Sequence, residues 1–431
     1  MNTYKLTEDT LVNFTRSLLK KTDSMYVKLL SYEDFINNVN QQFKQLKDRA
    51  DNTDDDINEI KEKIEGIKDT TNTLANEIKS LHSEDVDINE RIDNLEKLIT
   101  ELQKKVNSVF RLTKVGNVSK LSTGASRITS TTVGDYCLFG VGTRVETYNS
   151  ALVLGTTSLP FTSTRYECAS GTVGNTAIFA GGFGPDIATV EAFSSSLVRS
   201  SLTSLSAARG VFDSVLVGNR LLFGGGYNTV SSVDVYDSSL SKSNATGLSV
   251  GRGRLAACNA GVYGVFGGGI TSGPTSYTDA YDTDLTKVNI SPLNTSRYYL
   301  GAARVDRFGI FAFGNIGGGV TSSGEVYDST LTHGSNIYFS KARAGSGNSS
   351  CECFGVTSTN GFLAVFGGGY NSGYIDNVDY VNKNLQTAAA TPLSHIAAQI
   401  AGGAISKYIL FAGGTTITNA DAYEVVGVSE D

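Results

Sequence analysis

Tryptophan is absent from this chain of 431 residues, methionine occurs twice, proline five times and histidine three times. The three histidines, His82, His333 and His395, are too few and too far apart to furnish a His-rich metal centre, and a Ser–His–Asp triad lacks supply. Cysteine is sparse and odd in number. Cys137, Cys168, Cys258, Cys351 and Cys353 have no framework spacing, and Cys351-x-Cys353 would place both thiols on one face of a strand, so buried free thiols in a reducing compartment are expected. No apolar run approaches the roughly 20 residues of a membrane span. The N-terminus "MNTYKLTEDTLVNF" lacks a signal-peptide core, and assembly in a cytoplasm is expected. Positive charge is in deficit, with 36 Lys+Arg against 43 Asp+Glu for a net charge of −7, which argues against nucleic acid or an anionic membrane as partner.

What is present divides at about residue 110. Residues 1–110 carry 16 Lys+Arg and 22 Asp+Glu, whereas the remainder is nearly neutral. From Ile36 to Val109 apolar residues recur at steps alternating three and four, with Asp, Glu, Lys and Asn between them. The seam runs through Ile57, Ile60, Ile64, Ile67, Leu74, Ile78, Leu81, Ile88, Ile92, Leu95, Ile99 and Leu102, interrupted at Thr71 and Asp85. A 3.5-residue period held this long predicts a coiled coil over 36–110. Ile dominates the first seam position and Ile and Leu share the second, a mixture compatible with two or three strands that favours a homotrimer through 36–109 over a dimer. Residues 1–35, with a different apolar rhythm, read as a helical attachment segment.

The second part repeats. Phe at the edge of a Gly-rich turn recurs at Phe139, Phe179, Phe223, Phe266, Phe313, Phe366 and Phe411. A later aromatic follows each, at Tyr148, Phe193, Tyr236, Tyr281, Tyr327, Tyr380 and Tyr423, and Leu comes about four residues after that in six units. In one unit, "GVFDSVLVGN" reads as a small-residue strand at a crowded axis, "RLLFGG" as a buried strand, "SSVDVYD" as a half-exposed strand and "KSNATGLSV" as an outer one. Four antiparallel strands at a period of 43 to 53 residues make a propeller blade. The glycines after Phe are expected to admit neighbouring blades closely or to adopt positive φ. The seventh unit ends after Tyr423 without an outer strand, while 117–134 holds an outer and an axial strand without Phe-Gly-Gly. The fragments complete one another, so residues 111–431 are expected to close a ring of seven blades.

These elements ("LFGGG" at 222–226, "VFGGG" at 265–269 and 365–369, "VDVYD" downstream) resemble the kelch repeat over roughly 116–427, without its Trp. The fold class expected is therefore mainly β with an α-helical N-terminus: a long coiled coil followed by a seven-bladed kelch-like β-propeller. Such a stalk and head look like a bacteriophage tail-fibre or baseplate receptor-binding protein, which implies a non-catalytic virion component. Its N-terminus would dock on a tail or baseplate protein, and its propeller would bind a host-surface glycan or protein. An intracellular kelch-type scaffold and a glycan hydrolase are the alternatives.

The candidate binding residues lie where each axial strand begins. Arg165, Arg209, Arg252, Arg297 and Arg343 each follow an apolar residue by four positions in successive units, joined by Arg254. In a ring they converge on one mouth of the channel, either bracing neighbouring blades or forming a polar cup for an anionic or hydroxyl-rich ligand. Tyr166, Tyr298 and Tyr299 beside them, and the loops around Tyr227 and Tyr370, add aromatic faces of the kind sugars stack on. Asp186, Asp279 and Asp376 are read as loop residues, either turn-formers or a glycosidase pair. No cofactor and no metal is expected.

Overall fold

The computed structural model describes residues 111–426 apart from 117, 123, 125–126, 157–158, 228, 346–353, 398 and 415–417, with scattered positions between 41 and 97. Of the latter, Glu65, Gly66, Lys68, Asp69, Thr70, Asn72 and Thr73 are helical. The attachment segment 1–35, the heptad seam of 36–110 and the trimer expected through it lie outside the described residues, as do Cys351 and Cys353.

Residues Leu112–Val425 form a compact unit. It is a seven-bladed β-propeller, each blade an antiparallel sheet numbered here from axis to rim. Strand β1 (Arg111–Val115) belongs to the last blade. Blade 1 holds β2 (Thr129–Val133), β3 (Tyr136–Asn149) and β4 (Leu159–Arg165); blade 2 holds β5 (Ala169–Val173), β6 (Thr176–Ala180), β7 (Val190–Ser194) and β8 (Arg199–Leu202). Blade 3 holds β9 (Asp213–Val217), β10 (Arg220–Gly224), β11 (Val233–Asp237) and β12 (Lys242–Ala245). Blade 4 holds β13 (Ala256–Ala260), β14 (Tyr263–Gly267), β15 (Thr278–Tyr281) and β16 (Lys287–Val288). Blade 5 holds β17 (Gly301–Val305), β18 (Phe308–Ala312), β19 (Thr321–Tyr327) and β20 (Ile337–Arg343). Blade 6 holds β21 (Phe354–Thr357), β22 (Leu363–Gly367), β23 (Val378–Asn382) and β24 (Thr387–Ala390). Blade 7 holds β25 (Ile400–Ile405), β26 (Tyr408–Gly413) and β27 (Ala420–Val426), completed at the rim by β1. The innermost strands touch in succession and β25 meets β2, closing the ring.

Burial follows from each strand's place. In blade 3, "RLLFG" of β10 is flanked on both edges and covered on both faces, so Leu221, Leu222 and Phe223 are buried in a continuous apolar run. At the rim, "KSNA" of β12 is polar and part-exposed, which leaves an edge unsuited to further pairing. Neighbouring blades share one core: Val215, Leu222 and Val235 of blade 3 pack with Phe266 and Tyr281 of blade 4. Each ring so buried contributes roughly 1.5–3 kcal/mol.

The repeated Phe-Gly-Gly has a steric cause at these joints. A Cβ on Gly224 would lie 2.8 Å from the Phe266 ring of the next blade, so only Gly lets that ring lie flat on the strand. Gly225 then turns with φ of +84°, where a side chain would be strained and would meet the Arg252 carbonyl at 2.7 Å. The later aromatic has a polar duty as well. Tyr236, Tyr281, Tyr327 and Tyr423 stand edge-on to the preceding Phe and donate their hydroxyls to the carbonyls of Thr203, Thr246, Ser291 and Thr391. The Leu that follows is left-handed in every case: Leu152, Leu197, Leu240, Leu285, Leu331 and Leu385 have φ between +60° and +64°. In blade 3 the turn is held by Asp237, whose carboxylate accepts the Ser239 and Ser241 amides while Leu240 N–H donates to its carbonyl.

Three expected positions are corrected. In blade 5 the ring stacked on Tyr327 is Phe311, and Phe313 instead occupies the left-handed glycine position with φ of +65°. In blade 6 the position of Tyr236 is taken by Val381, which is buried and four residues before Leu385, while Tyr380 is only half-buried. The closing outer strand is β1 at Arg111–Val115, ahead of the stretch 117–134 expected to hold it together with an axial strand, of which the axial strand β2 lies at Thr129–Val133. In β1, Lys114 pairs with Asp421 of β27 at 2.9 Å.

Candidate functional site

The five arginines are not open to a ligand. Arg165, Arg209, Arg252, Arg297 and Arg343 are 0–1% exposed, among the most deeply buried large side chains described. Each crosses a blade junction to one acid in the third strand of the next blade: Arg165–Glu191 at 2.9 Å, Arg209–Asp234 at 2.6 Å, Arg252–Asp279 at 2.8 Å, Arg297–Glu325 at 2.7 Å and Arg343–Asp379 at 2.7 Å. At Arg252 the spare N–H groups go to backbone, to the carbonyls of Val250, Gly268, Phe266 and Tyr277, whereas Nε of Arg165, Arg209 and Arg343 is buried without a hydrogen-bond partner. Of the two roles expected at this position, cup and brace, these five side chains take the brace, because each guanidinium finds a carboxylate and backbone carbonyls inside the joint.

The acids take further partners in turn. Backbone N–H groups of Thr162, Ser206, Ser249, Asn294 and Ser340, three residues before each Arg, donate to the same carboxylates. Lys242 and Lys287 from the rim strands complete Asp234 and Asp279. Burial pushes these two carboxyls up, but the Lys, Ser and Arg partners outweigh it and hold both below the usual carboxylate range. At the joint into blade 7, Ala397 stands where the Arg would be, and Asp421 is held at about 2, against burial, by His395, Lys114 and the Ser394 amide. In blade 1, Glu146 is served by Arg144 and Ser122 instead. Asp279, expected in a loop, is one of these buried acids in β15, so it is not half of a glycosidase pair. Among the described residues no three His, Cys, Asp or Glu side chains converge as a metal site.

Two residues beyond each Arg position the chain turns left-handed again and builds a ring around the channel mouth. Arg127, Glu167, Val211, Arg254 and Tyr299 have φ between +51° and +65°. Each passes a backbone hydrogen bond to the preceding blade: Glu167 N–H to Arg127 O, Val211 to Glu167, Arg254 to Val211, Tyr299 to Arg254 and Gly345 to Tyr299, at 2.9–3.2 Å. The left-handed conformation costs roughly 1–2 kcal/mol per residue, and the inter-blade bonds hold it. Outside this ring, the residue after each Arg pairs with the loop that follows the second strand of the next blade, as in Tyr166↔Phe183, Tyr298↔Asn315 and Ala344↔Tyr370.

This arrangement gathers an arc of side chains across three blade junctions, which Tyr166 joins through its backbone. Phe183 meets Tyr227 edge-on at 5.6 Å; Arg254 lies over Tyr227 at 5.6 Å and over Tyr299 at 4.8 Å; and Tyr299 meets Tyr298 at 5.0 Å. The Tyr166 carbonyl accepts the Phe183 N–H at 2.7 Å. Tyr166 and Tyr227 are 36% and 39% exposed, enough to offer ring faces to solvent. Of the expected site residues, Arg254, Tyr227 and Tyr298 therefore come together. Tyr370 lies apart and packs on Tyr374 at 5.9 Å. Phe183 was not anticipated, although its place directly after the Gly pair, matching Tyr227, was legible.

Inside the ring lies a cavity of about 210 Å³ lined by the first residues of the axial strands, among them Thr129, Ser130, Ser170, Asp213 and Ser214. Its hydroxyls lace neighbouring blades: Ser214 donates to Ser170 O, Ser170 to Ser130 O and Ser130 to Gly402 O. Burial pushes the Asp213 carboxyl up to about 7, although it accepts the amides of Ser214 and Ala257. Cys137 and Cys168 are buried free thiols, pushed up by burial to about 12 and about 11; Cys258 is likewise free and buried, and burial raises it further.

No protein-family model matches the sequence, and no curated protein matches it. Among solved structures, one described as "Structure of YjhT" is similar to this chain with a TM-score of 0.49 at 12% identity, covering 64% of this chain and 99% of that one.

Proposed function

We propose that this chain is a non-catalytic receptor-binding protein of a phage tail fibre or baseplate, whose kelch-like propeller holds a host-surface saccharide on the arc Tyr166–Phe183–Tyr227–Arg254–Tyr299–Tyr298. The arc is the observation that carries the reading. The exposed rings of Tyr166 and Tyr227, the half-buried rings of Phe183 and Tyr298 and the Arg254 cation between them suit the apolar faces and hydroxyls of sugar rings, with buried Tyr299 supporting Arg254 from beneath. The third-strand acids Glu191, Asp234, Asp279, Glu325 and Asp379 are taken up by buried arginines, which supports binding rather than hydrolysis. Residues 36–110 serve as a trimeric stalk and 1–35 as the attachment to a tail protein, on the strength of a heptad spacing that runs from Ile36 to Val109 without a slip. Three propellers on one stalk would add avidity to weak single sites.

The test is adsorption of the full-length protein to bacterial envelopes, compared with Tyr227→Ala and Tyr166→Ala. Each exposed Tyr contributes mostly ring surface, so the variants should fold as the parent does and lose about tenfold or more in surface affinity. Full adsorption by a well-folded double variant would remove the arc from the binding surface. Adsorption to no envelope or glycan would remove the receptor-binding reading itself.

A further inference from the structure

The left-handed ring treats its two arginines differently. Arg127 is followed around the ring by Glu167, and the pair closes at 3.2 Å. Arg254 has Val211 on one side and Tyr299 on the other, so the ring offers it no carboxylate. None of the described ion pairs includes Arg254, whereas the guanidinium two residues earlier, on Arg252, is paired and saturated by carbonyls. Arg254 Nε is enclosed without a hydrogen-bond partner. Its side chain is nevertheless fixed in place, with Tyr227 at 5.6 Å on one ring and Tyr299 at 4.8 Å on another.

We propose that Arg254 is the receptor for an oxyanion on the bound saccharide, a uronate carboxylate or a phosphate ester; this rests on the arc being the saccharide site. A planar guanidinium presents its N–H groups as a fork that matches either oxyanion with two parallel hydrogen bonds. Stacking on two tyrosines holds the fork before the ligand arrives and keeps water from its faces, which strengthens the pairing relative to a free surface Arg. The adjoining rings, Tyr227 and Phe183 on one side and Tyr298 on the other, are placed to carry the sugar units flanking the charged one, while buried Tyr299 backs the guanidinium. The ligand class is thus an acidic glycan, distinguished from neutral chains at a single position.

The full-length protein and Arg254→Gln are compared on a glycan array carrying matched neutral, uronate-bearing and phosphate-bearing chains. Gln occupies the same left-handed conformation at Gln399 of the ring, with φ of +63°, so the variant should fold. The proposal expects the parent to prefer one acidic series over its neutral match by about tenfold or more and Arg254→Gln to lose that preference, so that its ratio of acidic to neutral binding falls to about one. The uronate and phosphate arms identify the source of the oxyanion. As a check free of mutation, raising salt from about 50 to about 500 mM should weaken parent binding to the acidic chain and leave the neutral match nearly unchanged. An acidic preference that survives Arg254→Gln, or parent binding to acidic chains that is insensitive to salt, overturns the anion site and leaves the saccharide reading standing. Binding to neutral chains alone does the same. Binding to no glycan overturns both.

Discussion

Replacing Arg252 by Ala separates a brace from a binding group within one residue's chemistry. Its guanidinium holds Asp279 at 2.8 Å and the carbonyls of Val250, Gly268, Phe266 and Tyr277 at 2.7–3.3 Å, all inside the joint between blades 3 and 4. Removing one partner of a buried pair costs about 3–5 kcal/mol, and buried carbonyls left without donors add about 1–3 kcal/mol each unless water enters. Lys287 still neutralises Asp279, which places the loss toward about 4 kcal/mol. For a domain of this size that is a fall of roughly 8 °C in the propeller's calorimetric transition. Arg254→Gln, two residues away, is the internal control: its guanidinium pairs with no described carboxylate, and Tm should move by no more than about 1 °C. A double replacement of Arg252 by Met and Asp279 by Leu should recover much of the loss, since apolar packing of similar volume can stand in for a buried pair. If Arg252→Ala melts within about 1 °C of the parent, the pair is not a brace and the reasoning fails.

Three further outcomes are expected. Gly224→Ala should lower stability by about 1–3 kcal/mol in thermal melts, because the added methyl would sit 2.8 Å from the buried Phe266 ring. The Asp421 carboxyl, at about 2 in the fold against roughly 4 unfolded, contributes stability that is present above pH ~4 and is lost as pH falls through 2. Lys114→Ala, which removes its partner on β1, should therefore flatten the acid limb of a Tm–pH profile. Asp213 has the opposite sign: with its folded pKa raised to about 7, its contribution is full below pH ~4 and is lost as pH rises through 7. Asp213→Asn should remove that decline, and a carboxyl carbon resonance titrating near pH 4 would contradict it.

Much of the propeller was legible because its signals are local. The period, the four-strand parse of 210–250, the glycine roles at Gly224 and Gly225 and the closure of the ring by both termini all follow from residues near one another in sequence. Radial depth was not legible. The turn at Arg209 looks the same whether the side chain faces solvent or the joint, and its partner Asp234 lies 25 residues later in the next blade. A hint existed in the acid two residues before the later aromatic, as in "VDVYD", "TDAYD" and "GEVYD", which an exposed strand would not require so regularly. Blade 6 misled through composition, since Tyr380 stands beside the true position Val381. The arc was hidden because Phe183, Tyr227, Arg254 and Tyr299 come from four blades and meet only when loops from successive units are stacked. Leucine in six left-handed turns runs against its own propensity, and only the hairpin geometry around Asp237 accounts for it.

The most direct measurement is a structure of the full-length protein with a host-surface oligosaccharide bound. The account predicts saccharide density across Tyr227, Arg254 and Tyr298, with an oxyanion on the Arg254 guanidinium and sugar faces against the flanking rings. Density on the rim strands, or on the face of the ring opposite the loops that carry Phe183 and Tyr227, would contradict it.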